Sequence, residues 1–275
     1  MSTLLLALAS SSVETTVVGP LDAVVSLTLV AVAVGLSRWK RLGLEASILW
    51  ACLRAAVQLL AVGFLLRFII ESSQAAVWAW VWVAAMVVIA GEVVRRRSPT
   101  VPALRVTALV AVAVPTALVV LIIFGLRILE TEPVAIVVIA GITIGNTLPA
   151  AVLAAKQLVE YLHDQHLQVE ALLALGFDAQ GATRFITPLS ARTALIPQIE
   201  RTKVVGLVAL PGALTGLLLA GVDATNAVLT QLVVMYLVLG SVATAVAVLV
   251  TLMAARAFTV DSRMAEWTRT PLELH

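Results

Sequence analysis

Residues 75–94 read AAVWAWVWVAAMVVIAGEVV and run straight into Arg95-Arg96-Arg97. About 20 apolar residues are what a helix needs to cross roughly 30 Å of hydrocarbon. The three arginines say which end stays inside, because short cytoplasmic loops retain Lys and Arg while translocated ones shed them. Trp78, Trp80 and Trp82 stand at the other end of the run, where indole rings favour the membrane–water interface. They read as an anchoring belt.

The same pattern extends in both directions. Apolar runs at 20–37, 44–70, 75–94, 104–126, 133–155, 203–221 and 226–252 read as about seven spans. Fifteen of the eighteen Lys and Arg residues fall in alternate gaps: Arg38, Lys40 and Arg41; Arg95 to Arg97 with Arg105; Lys156, Arg184, Arg192, Arg201 and Lys203; then Arg256, Arg263 and Arg269 in the tail. The intervening gaps hold only Arg127, against Glu130 and Glu132, or are bordered by Arg67. The N-terminus is therefore expected outside and the C-terminus in the cytoplasm. The expected fold is all-α, a polytopic helical bundle in the cell inner (plasma) membrane, with residues 1–275 forming one transmembrane domain. Composition agrees: 61% hydrophobic and 12% charged, with mean hydropathy +1.06, against about 25% charge in soluble domains. The lone cysteine, Cys52, excludes an internal disulfide and Cys-rich metal sites. Met1 to Thr16 lack a basic n-region and make a poor signal peptide; an interfacial helix or disorder is expected there.

Segment 156–203 is the one sizeable piece outside these runs and is expected in the cytoplasm. The apolar residues of 170–175 suit a helix, Gly176 a C-terminal turn and Asp178 the N-cap of a second helix. Pro188 and Pro197 interrupt the rest. Glu170, Ala171, Gly176 and Ile186 fall in register with the cytoplasmic EAA loop of ABC-type permeases, Glu-Ala-Ala-x3-Gly-x9-Ile-x-Leu-Pro, with Leu172 at the second Ala and the last pair inverted as Pro188-Leu189. That resemblance implies docking on an ATPase.

Three stretches resemble the FetB family of permeases, described as iron exporters, with plant relatives linked to aluminium tolerance. They are Arg54 to Leu59; Gly141 to Asn146; and Glu170 to Gly176 continuing through Arg192 to Pro197 and Gly206 to Gly221. Where the family usually shows a Met pair and a Gln, Ala213, Leu214 and Leu217 stand here. The resemblance implies a homodimeric permease whose ATP and Mg are bound by a separate cytoplasmic ATPase subunit. It implies export of a metal such as iron, with no cofactor in this chain.

Several residues stand out by cost. Arg54 lies about 15 Å into its span, where Arg costs at least about 2.5–3.5 kcal/mol, and Gln58 shares its face. The pair is expected to face the protein interior or a wet cavity, lining a translocation path or clamping two helices. Asn146 and Pro149, and likewise Pro211, Gly212 and Gly216, combine glycines with a missing backbone donor. They suit either a mid-membrane solute site or close helix packing. Glu160, His163 and Asp164, with His166 nearby, form either a metal or proton-sensing site or a solvated face. Glu45 and Glu92 are expected to pair with nearby cations. No metal ligand set is assigned.

No Gly-x4-Gly-Lys-Ser/Thr, His-Glu-x2-His or Gly-x-Ser-x-Gly occurs, so a P-loop and familiar hydrolase sites are missing. The chain reads as a permease and not an enzyme, and its cations form no nucleic-acid stripe. An ion-coupled secondary transporter calls for intramembrane carboxylates, and none lies near a span centre. An ABC permease for an organic or anionic solute is the other alternative.

Overall fold

The computed structural model describes residues 20–98, 101, 104–207, 209–259 and 263–268. The stretch Met1 to Thr16 therefore lies outside the described residues. The elements are α1 (Pro20–Trp39), α2 (Glu45–Glu71), α3 (Ala75–Arg97), α4 (Leu104–Gly125), α5 (Pro133–Asp164), α6 (His166–Ala174), α7 (Ala179–Thr183), α8 (Ile186–Val204), α9 (Gly212–Leu219), α10 (Ala224–Ala255) and a short 3₁₀ turn at Glu266–Thr268. Among the described residues there is no β-strand, only the isolated bridges Val205–Ala209 and Phe258–Met264.

Five of these helices, α2, α3, α4, α5 and α10, are long and apolar enough to cross a membrane, and Val24–Trp39 adds a shorter apolar helix. Local chemistry sets their ends. Pro133 opens α5 at its first turn, where a missing N–H costs nothing. Asp223 caps α10 by accepting from Thr225 and Asn226 N–H at 3.0 and 3.3 Å.

The core is shared by α3, α4, α5, α8 and α10. Small residues let the backbones close up: Ala108 and Ala111 on α4, Ala151, Ala154 and Ala155 on α5, and Ala245 on α10 are fully buried. Lipid gives apolar helices no hydrophobic reason to associate, so such close packing carries the association. The buried hydroxyls of Thr116, Thr143, Ser190 and Ser241 are satisfied by carbonyls three or four residues back in their own helices. Arg256 donates to the Thr107 hydroxyl, tying the end of α10 to the start of α4.

The expected span 203–221 is not one helix. Helix α8 ends at Val204, the chain turns tightly at 205–207 and 209–211, and α9 is eight residues long, about 12 Å. Gly206 takes φ +88° and its N–H reaches the Ala209 carbonyl at 2.9 Å. Pro211 then caps α9 in extended conformation. The expectation for 156–203 also changes: α5 carries on to Asp164 as a 32-residue helix, and α8 folds back antiparallel along it. Hydroxyls of Tyr161 and Thr193 meet at 3.3 Å, and further along the pair Asn146 comes together with Gln198 and Arg201. The charges that kept 186–204 out of the apolar runs sit on a helix packed into the bundle.

Candidate functional site

The candidate residues gather in two regions. The first is the elbow beyond α5. Helix α6 ends in a Schellman turn: Gly176 at φ +89° donates to the Leu173 carbonyl at 3.0 Å, and Phe177 to that of Leu172 at 3.1 Å. The Asp178 carboxylate caps α7 through Gly181 N–H at 2.8 Å. The elbow is anchored from below by Val169 and Ile186, both fully buried. Ala171 and Gly176 are exposed and Glu170 is half-buried. Leu167, Leu175 and Phe177 stand 71%, 76% and 52% exposed, a large apolar display on so small an element.

The second is a half-open cavity of about 300 Å³ at the α8–α9 break, bordered by α5, α8, α9, α10 and the turn between α8 and α9, with Arg201 exposed at it. Its walls are Ile142 and Asn146 from α5, Gln198, Arg201, Thr202 and Val204 from α8, and Val205, Ala209, Pro211 and Ala213 across the break. Gln231, Val234, Met235 and Val238 from α10 complete it. Asn146 lies 13 residues into α5, about 20 Å along it. Its amide donates to the Ile142 carbonyl at 2.8 Å. Gln231 is 9% exposed and its Oε1 has no partner. A buried amide oxygen left unpaired costs about 1–3 kcal/mol.

The structure thus brings Asn146 and Pro211 to one cavity. Gly212 is next to Pro211, as the first residue of α9. Helix α5 runs on through Pro149, which removes the donor that the Gly145 carbonyl would otherwise receive. Close packing is not what the glycines do within one chain: a Cβ on Gly141, Gly145, Gly212 or Gly216 would meet nothing within 4 Å. Arg54 and Gln58 are exposed on α2 and do not line the cavity. Within one chain they do not reach the interior, because α2 packs through its C-terminal end, where Ile69 is buried, and none of its most apolar stretch is covered. Gln198, Arg201, Thr202 and Gln231 had no signal in the sequence. The first three sit in the segment expected in the cytoplasm, and Gln231 lies within the apolar run 226–252.

The remaining clusters are local. Glu92 pairs with Arg95 at 2.5 Å, Arg96 at 2.8 Å and Arg105 at 3.8 Å. Glu45 instead accepts from the Ser37 hydroxyl at 3.1 Å. The imidazoles of His163 and His166 stack with centroids 6.1 Å apart. Among the described residues no three His, Cys, Asp or Glu side chains converge as a metal site would need.

The model of the uncharacterised protein family UPF0014 matches residues 20–258. The UPF0014 membrane protein STAR2 of Oryza sativa subsp. japonica is 37% identical over 82% of this chain and 78% of its own length. The probable iron export permease protein FetB of Escherichia coli (strain K12) is 30% identical over 78% of this chain and 83% of its own. Protein ALUMINUM SENSITIVE 3 of Arabidopsis thaliana is 30% identical over 78% and 79%. No solved structure matches the chain. With a family model spanning nearly all the described helices and such relatives aligned across most of both lengths, this chain belongs to the UPF0014 family of FetB-like membrane proteins.

Proposed function

We propose that this chain is the membrane-spanning permease subunit of an ATP-driven (ABC) transporter in the plasma membrane, working as a homodimer and exporting a metal such as iron. ATP and Mg are bound and consumed on a separate cytoplasmic ATPase. Seven crossings result if α1 spans and the broken pair α8–α9 counts as one, which puts the N-terminus outside and the C-terminus inside, in keeping with the cation pattern.

The observation that carries the reading is the elbow at Gly176. It displays apolar side chains to solvent at the end of the longest inner extension, and through α8 it is continuous with the cavity wall. An ATPase gripping Leu167, Leu175 and Phe177 would move α8 as a lever and alter the cavity at Arg201 and Thr202. Discontinuous helices at mid-membrane depth are where transporters place their solutes, so Asn146, Pro211 and Gly212 belong to the path.

Co-expression with a candidate ABC ATPase tests this. The two proteins are expected to co-purify, and Glu170→Lys or Gly176→Pro to abolish solute-dependent ATP hydrolysis. An ATPase that never co-purifies, together with transport unaffected by both substitutions, overturns it.

A further inference from the structure

The charge in the cavity is one-sided. Arg201 lines it and forms no ion pair among the described residues. Gln198, Thr202, Asn146 and Gln231 add amides and a hydroxyl, and among the described residues no Asp, Glu, His or Cys lines the space. Gln231 is nine-tenths buried with its Oε1 unpartnered, an acceptor open to a hydroxyl of the solute and not to its carboxylate or phosphate oxygens. A bare divalent or trivalent metal asks for anionic or imidazole donors. Here it would meet a guanidinium, with the single thioether of Met235 as its soft ligand. A guanidinium is always charged and matches carboxylate and phosphate oxygens with a fork of donors.

We infer that the solute held at the α8–α9 break is a small oxyanion, its carboxylate or phosphate group on Arg201 and its remainder against the apolar wall. A metal cargo would pass as an anionic carboxylate chelate. A volume of about 300 Å³ stands at the small end of ligand sites. This rests on the permease reading and narrows its substrate class.

The test is equilibrium binding to the purified full-length chain in lipid nanodiscs, with citrate, ferric citrate, inorganic phosphate and aqueous ferrous ion as probes. At least one oxyanion is expected to bind, and Arg201→Gln to weaken it about tenfold or more, the loss of one charge-assisted hydrogen bond. Lys203→Gln, whose amine pairs with Glu200 at 2.8 Å instead of lining the cavity, is expected to leave binding unchanged. If Arg201→Gln fails to fold, Asn146→Asp serves: a carboxylate in the cavity should weaken oxyanion binding. Equal affinity for citrate and ferric citrate marks a free organic anion, and ferric citrate alone marks the chelate. The inference is overturned if no oxyanion binds, if the cavity variants leave oxyanion binding unchanged, or if ferrous ion alone binds and Arg201→Gln strengthens it. Oxyanion binding that obeys Arg201 in a chain recruiting no ATPase would sink the permease reading and leave this one standing.

Discussion

The hydroxyls of Tyr161 and Thr193, thirty-two positions apart in the chain, meet at 3.3 Å between α5 and α8. This bond pins the returning helix to the end of the long one, beside the elbow. Tyr161→Phe and Thr193→Val are each expected to lower stability by about 0.5–1.5 kcal/mol. The double variant should fall short of the sum, since two groups sharing one bond lose it once. Thermal unfolding in detergent across the four proteins measures it, and strict additivity would mean that the bond contributes nothing.

Gly176 holds the elbow in a backbone region where L side chains are strained, at φ +89°. Gly176→Ala is expected to cost about 1–2 kcal/mol and to open the Schellman turn. No atom stands within 4 Å of where that Cβ would point, so the penalty is purely conformational. Gly176→Asn, which tolerates the left-handed region better, should recover part of it. An Ala variant as stable and as well coupled to the ATPase as the parent would remove the turn from the mechanism.

How much of the fold and the site was legible depended on what each residue had to do alone. Runs such as 75–91 announce themselves because every residue meets lipid or a neighbouring helix and must be apolar. Gly176 and Asp178 were readable because a turn and a cap are local chemistry, and both serve as expected. The break at 205–211 was half-visible: Pro211 and Gly212 marked it, while the hydropathy of 203–221 argued for one continuous span. Helix α8 was hidden because Arg192, Glu200, Arg201 and Lys203 make it polar on average. Its buried stripe, Ile186, Ser190 and Ala194, is too narrow to outweigh them. Which charged helix returns into a bundle is decided by tertiary packing, and no window of sequence contains that.

Gly91 faces Leu109 so closely that an added Cβ would lie 3.0 Å from the Leu109 Cα. The neighbouring atom is backbone and cannot rotate away. Gly91→Ala is expected to force α3 and α4 apart at about 1–3 kcal/mol, seen as a lower unfolding temperature. Gly63→Ala on α2, with nothing within 4 Å, should be neutral or stabilising by up to about 1 kcal/mol through helix propensity. A cost at Gly63 equal to that at Gly91 would mean that another surface covers α2.

Arg54 raises that question directly. It is exposed, ten residues into a 27-residue helix whose most apolar stretch is wholly uncovered in one chain. Hydrocarbon cannot satisfy a guanidinium, and a charge at that depth costs at least about 2.5–3.5 kcal/mol. A second copy in the proposed homodimer would relieve it, and Gln58, one turn further on, would share the contact. Arg54→Leu should therefore leave each chain folded, since it touches none of the core shared by α3, α4, α5, α8 and α10, while shifting the detergent-solubilised protein from dimer towards monomer. Light scattering coupled to size exclusion reads that ratio. If Arg54→Leu remains fully dimeric and gains stability, the arginine faces lipid and the two copies meet elsewhere.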